Sequence, residues 1–170
     1  MTMTVNIQYY DTPCGKMVLG AAEEELCLCD WAAMPCAERN IRRLVRYLGA
    51  ELREEDSPVL KRTREELDEY FAGTRRSFDI PLHPVGTPFQ LLVWDALLEI
   101  PYGQTRTYSQ IARRVNNPRG VRAVAQAIGA NGIGIIIPCH RVIGSDRTLT
   151  GFAGGLDAKS ILLKLEGTTR

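Results

Sequence analysis

The sequence predicts an α+β protein with a small N-terminal α/β domain and a mostly helical C-terminal domain. Two short apolar stretches around residues 23–25 predict a β-hairpin, and apolar residues at helical spacing dominate the second half. Between the two patterns, the segment PLHPVGTP has three prolines and a glycine, which disfavour both helix and central strand. We therefore expect an N-terminal domain at residues 1–80, a linker at residues 81–88 and a C-terminal domain at residues 89–170.

The N-terminal half contains the predicted hairpin and two predicted helices. The stretch GKMVLGAAEEELCLCDW supplies both strands, with its three glutamates at the exposed turn. Helical spacing indicates a first helix that includes Ile41, Leu44, Val45 and Leu48. A second helix begins at the cap Ser57, has Pro58 at its first position and ends at Gly73. It runs through Leu60, Leu67, Tyr70 and Phe71.

Three helices are predicted directly after the linker. The first begins at Thr87 and Pro88, and its apolar stripe contains Phe89, Leu92, Val93, Ala96 and Leu97, with Trp94 beside it. The second is capped by Thr107 and buries Tyr108, Ile111, Ala112 and Val115. A break at residues 116–118 precedes the third, which starts at about Arg119 and buries Val121, Val124, Ala125 and Ile128. Two short helices across a three-residue break predict a helix-turn-helix.

The outward side of this third helix combines long cationic side chains with very small ones. Arg119, Arg122 and Gln126 are spaced i, i+3 and i+7, while Ala123 and Ala127 leave little bulk around them. A thin helix of this kind can approach a nucleic-acid backbone closely. An Ala-rich helix packed tightly against a neighbouring element is the alternative interpretation.

The charge distribution also indicates a polyanionic partner for the second half. Residues 1–85 carry 11 Lys and Arg against 15 Asp and Glu, whereas residues 86–170 carry ten against five. The net charge of +1 conceals this asymmetry. A basic half is a candidate for binding a polyanion, although a solvated basic face would have the same composition.

The five cysteines indicate a reducing compartment. Their odd number and irregular spacing are typical of thiols and not of a disulfide framework. We expect buried structural thiols in the N-terminal half and no bound metal or other cofactor. A zinc site formed by these cysteines and His83 is an alternative, but no C-x-x-C pair supports it.

Nothing in the chain predicts a membrane association. The apolar runs are far shorter than the roughly 18 residues that a membrane span requires. The N-terminus MTMTVNIQYY has neither the basic start nor the apolar stretch of a secretion signal. We expect a cytoplasmic protein, associated with the nucleoid if it is bacterial.

The stretch IIIPCHRVIG carries the strongest indication of chemistry. Its apolar run predicts a buried strand that ends at Pro138 and leaves Cys139, His140 and Arg141 at the strand exit. Cysteine attacks as a thiolate and needs a group that accepts its proton. Adjacent side chains of an extended segment point to opposite faces, so His140 requires a turn after Pro138 or a bridging water.

Two further features favour a site over a chance Cys-His pair. Three glycines lie upstream of the pair, and the glycine-rich loop GFAGG occupies residues 151–155. The last helix has a stripe of Ala158, Ile161, Leu162 and Leu165, with Glu166 at its edge. This carboxylate either orients the imidazole of His140 or is a solvated charge at the helix end.

The second half resembles the O6-alkylguanine-DNA alkyltransferases, also called methylated-DNA–protein-cysteine methyltransferases. The resemblance covers residues 86–167 and is carried by GTPFQLLVWDALLEIPYGQTRTYSQIA, NPRGVRAVAQAI, IPCHRVIG, TGFAGG and LLKLEG, all in register. The N-terminal half resembles the family only weakly, in its element order and in LCLCDW. The resemblance implies a ribonuclease H-like fold for that half.

The family's chemistry then implies a role for each matching residue. A damaged guanine, and also O4-alkylthymine, is flipped out of double-stranded DNA, and Cys139 irreversibly takes the alkyl group in one displacement step. His140 would accept the thiol proton through a water, and Glu166 would orient His140. Asn131 would brace the site by hydrogen bonds. Tyr108 would contact the flipped base and help to protonate the leaving guanine.

The resemblance also assigns residues to DNA and to the base. Arg122 would fill the gap in the base stack, on a helix docked in the minor groove by a monomeric protein. The carbonyls of Cys139 and Val142 would accept from the guanine amino group, and the amide of Ala153 would donate to its oxygen. Phe152 stands where many members have a tyrosine over the base, which keeps an apolar wall and loses a hydroxyl. Arg141 would have a structural role at the strand exit.

Three other functions share some of these features. A non-catalytic relative that binds lesions would lack the acceptor cysteine, which is present here as Cys139. A helix-turn-helix regulator would need an effector or dimerisation module, and residues 1–80 contain no recognisable one. A Cys-His hydrolase would turn over its substrate repeatedly.

Overall fold

The computed structural model describes residues 3–145, 152 and 154–168 of the chain. The N-terminal half consists of β1 (Met3–Thr12), β2 (Gly15–Ala22), β3 (Glu25–Trp31), α1 (Pro35–Leu48), β4 (Ala50–Arg53) and α2 (Pro58–Phe71). Its sheet has the order β3-β2-β1-β4. The pairs β1–β2 and β2–β3 are antiparallel, whereas β4 runs parallel to β1.

The predicted hairpin is formed by β2 and β3, and the turn between them places Glu23 in the left-handed region at φ 56°. The sequence interpretation missed β1, although Met3, Val5, Ile7 and Tyr9 alternate with polar residues. It also missed β4, a four-residue strand that carries too short a pattern to be recognised.

Both predicted N-terminal helices are present. The Ser57 side chain accepts a hydrogen bond from the Leu60 amide, and Pro58 occupies the first turn of α2 as expected. Helix α1 begins earlier than its apolar spacing suggested, with Pro35 in its first turn. Val45, expected on the buried stripe of α1, is exposed, and the buried positions are Ala37, Asn40 and Leu44.

The segment predicted as a linker lies along the free edge of β3. The Leu26 amide donates to the Pro81 carbonyl, and the His83 amide donates to the Leu26 carbonyl, both at 2.8 Å. These bonds anchor residues 81–83 to the sheet and direct the chain into the helical half. Prolines suit such an edge because they donate no ladder hydrogen bond.

The C-terminal half is mostly helical. It contains α3 (Pro88–Leu97), β5 (Arg106–Thr107), α4 (Tyr108–Arg114), α5 (Val121–Gly129), β6 (Val142–Ile143) and α6 (Leu156–Leu165), with a 3-10 turn at Cys139–Arg141. Capping boxes at Thr87 and Thr107 start α3 and α4. The pairing of a mixed N-terminal sheet with a helical C-terminal half confirms the predicted α+β class.

Three predicted details of these helices are wrong. Helix α5 begins at Val121, so Arg119 lies in the preceding turn and does not share a helical face with Arg122. Leu92 on α3 is 50% exposed and Ile161 on α6 is exposed as well, because each helix buries a face rotated from the expected one. Helix α3 instead buries Val93, Trp94, Ala96 and Leu97.

Helices α4 and α5 are joined by residues 115–120 and pack against each other and against α3. The Trp94 indole N–H donates to the Ala127 carbonyl at 2.7 Å, which fixes α3 beneath α5. Within the described ranges, no helix is long and apolar enough to cross a membrane. The same residues contain no disulfide and no cluster of three or more His, Cys, Asp or Glu that could hold a metal ion.

Candidate active site

The segment that leads to Cys139 is buried but is not the predicted strand. Ile133 makes an isolated bridge to Cys29, residues 134–136 form a turn, and the Ile137 amide donates to the Ile133 carbonyl at 3.0 Å. Ile135 has φ 69°, a conformation that a β-branched residue rarely adopts. A short apolar run indicates burial but does not distinguish a strand from a buried coil, and this is why the prediction failed.

The N-terminal sheet holds this segment in place. The Cys29 amide donates to the Gly132 carbonyl, and the Gly134 amide donates to the Cys29 carbonyl, at 2.8 and 2.7 Å. A Cβ on Gly134 would lie 2.5 Å from the Trp31 ring, so the position accepts only glycine without rearrangement. The strand β3 therefore forms the wall against which the cysteine segment folds.

A turn follows Pro138, which is one of the two alternatives that the adjacent Cys139 and His140 left open. Cys139, His140 and Arg141 form one 3-10 turn and are all buried. The chain then enters β6, which pairs with β5 in the register Arg106 to Val142 and Thr107 to Ile143. Because Tyr108 directly follows β5, this small parallel pair brings the start of α4 close to the cysteine turn.

Glu166 is the centre of a buried network behind this turn. It follows α6, and its Oε2 atom lies 2.7 Å from His140 Nε2. Arg141 contacts both carboxylate oxygens, through Nε at 2.8 Å and Nη2 at 3.0 Å. The Tyr70 hydroxyl donates to Oε2 at 2.6 Å, and the Gly103 amide donates to Oε1 at 3.3 Å. The carboxylate is therefore not the solvated helix end of the alternative interpretation.

These contacts decide which groups are charged. Burial alone would raise the pKa of Glu166, but hydrogen bonds from His140, Arg141 and Tyr70 hold it well below its usual value. Burial lowers the pKa of His140, against the opposing effect of Glu166. A neutral imidazole that donates from Nε2 leaves Nδ1 as an acceptor, and Nδ1 has no hydrogen-bond partner among the described residues.

Cys139 is 5% exposed, and burial raises the pKa of its thiol to about 11. Three contributions oppose this effect, namely a hydrogen bond from Asn131, the positive charge of Lys159 and a backbone hydrogen bond at Cys139, whereas the charge of Asp30 adds to it. Asn131 is itself fixed, because its Nδ2 donates to the Ile137 carbonyl at 3.0 Å and its Oδ1 accepts from the Ile133 amide at 2.9 Å. The resting thiol therefore needs an acceptor for its proton.

Lys159 is a functional candidate that the sequence interpretation missed. Its side chain is fully buried, and Nζ donates to the Val142 carbonyl at 2.6 Å. Burial lowers its pKa to about 8, with Cys139 acting in the opposite direction. One face of α6 is formed by residues spaced three, four and seven apart, namely Lys159, Leu162, Leu163 and Glu166. A lysine at this spacing from two leucines was the sequence feature that could have indicated a buried Lys159.

Phe152 packs edge-on against Trp31, with ring centroids 5.1 Å apart and an interplanar angle of 71°. Its ring also lies 6.0 Å from Lys159 Nζ. A Cβ on Gly154 would meet the Trp31 ring at 2.6 Å, so Gly154 packs directly against this indole. Ala153, predicted to donate to the base, lies outside the described residues.

The predicted DNA-binding residues divide into two groups. Four of them are exposed, Arg119 in the turn before α5 and Arg122, Ala123 and Gln126 on the helix itself. Ala127 is 3% exposed and faces the core, with its carbonyl held by the Trp94 indole, so it does not share that surface. The basic surface is therefore the turn and first part of α5, while the other side of the helix packs as the alternative interpretation described.

Comparison with known proteins identifies the family. Residues 5–84 match the ribonuclease-like domain of 6-O-methylguanine DNA methyltransferase, and residues 88–168 match its DNA binding domain. The first match confirms the predicted ribonuclease-like fold.

Relatives and solved structures agree with these matches. A methylated-DNA–protein-cysteine methyltransferase of Haemophilus influenzae is 43% identical over 159 residues, which span 93% of this chain and 84% of the relative. The crystal structure of Mycobacterium tuberculosis O6-methylguanine methyltransferase has a TM-score of 0.81 at 36% identity and covers 95% of this chain and 92% of that one. The M. tuberculosis protein in complex with DNA has a TM-score of 0.80 at 36% identity, covering 96% and 92%. The chain therefore belongs to the 6-O-methylguanine DNA methyltransferase family.

Proposed function

We propose that this protein repairs DNA by transferring the alkyl group of O6-alkylguanine, and of O4-alkylthymine, irreversibly to its own Cys139. The observation that carries the proposal is the buried network in which His140 contacts Glu166 within one turn of the acceptor cysteine. Family membership supports the reaction class, and the presence of Cys139 disfavours a protein that only binds lesions.

The geometry supports a proton path from the thiol to His140. Cys139 loses its proton through a water to Nδ1 of His140, and Glu166 balances the imidazolium that forms. The thiolate then attacks the alkyl carbon, so that a sulfur–carbon bond forms while the carbon–oxygen bond to the base breaks. The electron pair stays on the guanine, which Tyr108 protonates. Because the thioether is not reversed, each molecule acts once.

We propose that the flipped base binds beside Cys139. The Val142 carbonyl, which already accepts from Lys159, has a second lone pair for the guanine amino group. Cys139 offers its own carbonyl in the same way, and the amide of Ala153 would donate to the base oxygen. Phe152 supplies the apolar wall and is supported from behind by Trp31. Asn131 fixes the segment on which these acceptors lie.

We further propose that a monomer docks α5 in the minor groove of double-stranded DNA. Ala123 leaves room beside the exposed Arg122, whose side chain would fill the space vacated by the flipped base. Arg119 and Gln126 flank it and would contact the backbone. We also propose that the protein is cytoplasmic, associated with the nucleoid if it is bacterial, and that it acts without a cofactor.

The proposal is tested with a duplex that carries one labelled O6-methylguanine. Wild-type protein should gain the mass of one methyl group on Cys139 and stop at one equivalent. Cys139→Ala should bind the same duplex without any transfer, since phosphate contacts supply most nonspecific affinity. Continued product formation by wild type would indicate a hydrolase, and methyl transfer by the alanine variant would overturn the assignment of Cys139.

A further inference from the structure

Tyr70 connects the N-terminal half to the catalytic network. It lies on α2, and its hydroxyl donates to Glu166 Oε2 at 2.6 Å across 96 residues of sequence. The side chain is fully buried. Its ring is held by aromatic neighbours on three sides, Phe71 at 5.2 Å, Phe78 at 5.5 Å and Tyr102 at 6.2 Å between centroids. The hydroxyl therefore has a fixed direction.

The position of this hydroxyl matters because Oε2 is also the atom that His140 contacts. His140 Nε2 lies 2.7 Å from Oε2 and Arg141 Nη2 lies 3.0 Å from it, so three donors share one oxygen. Each additional donor withdraws charge from the oxygen and weakens its bond to the others. A phenol held against a carboxylate also makes a strong, charge-assisted hydrogen bond.

We infer that Tyr70 is a positioning residue that limits how strongly Glu166 supports the imidazolium of His140, and thereby sets how readily Cys139 is activated. The inference rests on the proposed function of Cys139. It assigns the ribonuclease-like half a direct part in the reaction, through a single hydroxyl. Without that hydroxyl, Glu166 Oε2 would accept a stronger hydrogen bond from His140. The pKa of His140 would therefore rise.

Several other ionisable groups face this network and remain unchanged when Tyr70 is altered. They are Cys139 and Arg141 on the cysteine turn, Lys159 on α6, Tyr102 on the loop after α3, and Asp30 on β3. Lys159 and Arg141 both disfavour a charged His140. A shift in the pH dependence of Cys139 alkylation, produced by removing one neutral hydroxyl, therefore reports the Tyr70–Glu166 contact.

The test is the pH dependence of Cys139 alkylation by iodoacetamide in the full chain, followed by mass analysis of the Cys139 peptide. This reagent reacts with the thiolate and needs no DNA. Tyr70→Phe keeps the ring and removes the hydroxyl, and its profile should move to lower pH by about half a unit, or roughly threefold in rate below the midpoint.

Two controls separate this role from a structural one. Tyr10→Phe removes another hydroxyl of the N-terminal half, which donates to the Arg64 carbonyl and not to Glu166, and it should leave the profile unchanged. In a Glu166→Gln background, Tyr70→Phe should no longer move the profile, because the charge through which it acts is gone. Near-ultraviolet circular dichroism verifies that each variant is folded.

An unchanged or upward-shifted profile for Tyr70→Phe would overturn the inference, and so would an equal shift in the Glu166→Gln background. Methyl transfer from DNA is measured separately on the same proteins. If wild type accepts no methyl group, the proposed function fails whatever the iodoacetamide profiles show. If wild type repairs DNA and Tyr70→Phe behaves like wild type, only the role of Tyr70 fails.

Discussion

His140 Nε2 and Glu166 Oε2 lie 2.7 Å apart, and neither side chain is exposed to solvent. A carboxylate in such a place is stable only when donors surround it, and Arg141, Tyr70 and the Gly103 amide supply the remaining contacts. The pair is therefore organised before any substrate arrives. Changes to either partner should alter both reactivity and stability.

Glu166→Gln should raise the apparent pKa of Cys139 and slow its alkylation, because an imidazolium without a facing carboxylate is less stable. We expect a shift of about one unit, which is about tenfold in rate at pH 7. The pH profile of iodoacetamide alkylation at Cys139 measures it. A profile identical to that of wild type would show that Glu166 does not act on the thiol.

The same substitution has a structural consequence that needs its own control. It leaves the buried guanidinium of Arg141 without an opposite charge, and breaking such a pair costs about 3 kcal/mol in the free energy of unfolding. Glu99→Gln removes a carboxylate from the exposed pair with Arg114 and should change little. If urea denaturation shows the same decrease in the free energy of unfolding for both variants, burial does not determine the cost of removing the carboxylate.

Stability should also depend on pH through His140. Burial lowers its pKa from the usual 6.5, so below pH 6.5 the unfolded chain binds a proton that the native chain does not. This stability is present above pH 6.5 and falls as pH drops, by at most about 1.4 kcal/mol per unit. Glu166, whose pKa is also lowered, continues the loss below its usual value of 4.5.

Urea denaturation of wild type and His140→Gln between pH 7 and pH 5 tests this dependence. In the variant, the free energy of unfolding should no longer fall between pH 6.5 and pH 5, whatever its absolute value. His83→Gln is the matched control, since His83 lies on the surface beside Glu25 and is the other histidine of the chain. If the free energy of unfolding of His140→Gln still falls over this pH range, another group causes the pH dependence.

Arg122→Ala should slow repair of a methylated duplex more than reaction with free O6-benzylguanine. Only the duplex requires the vacated stack to be filled, whereas a free base reaches the pocket directly. Single-turnover rates on both substrates give the comparison. Arg42→Ala, an exposed arginine on α1, serves as the control for loss of one surface charge. Equal losses on both substrates for Arg122→Ala would contradict its role in the stack.

Much of the fold was predictable because its signals are local. Ser57, Thr87 and Thr107 each cap the expected helix, and the capping hydrogen bonds depend only on residues within one turn. The failures involve longer-range contacts. The run of residues 135–137 was expected to form a strand, but the Ile136 and Ile137 amides bond back to Gly134 and Ile133, which periodicity does not reveal.

The site shows the same division. Cys139, His140 and Glu166 were identified from order and resemblance, and the structure brings His140 and Glu166 together. Tyr70 was expected only within a helix, since no pattern in α2 distinguishes a core tyrosine from one whose hydroxyl reaches another half of the chain. Such a contact depends on how the two halves pack around their shared core, which is a property of the tertiary structure alone.

Phe152 gives the sharpest prediction, because a tyrosine is expected there from the family pattern. If a hydroxyl at this position assists the departing guanine, Phe152→Tyr should accelerate methyl transfer by roughly threefold to tenfold, the worth of one neutral hydrogen bond. Phe152→Ala should cost more than the tyrosine gains, since the base loses its packing partner and Trp31 loses its edge contact at 5.1 Å. Single-turnover rates on one methylated duplex compare the three proteins, with Tyr47→Leu, at an exposed position of α1, as a control for removing an aromatic side chain elsewhere. If the alanine variant reacts as fast as wild type, Phe152 does not line the base pocket, and the glycine-rich loop has another role.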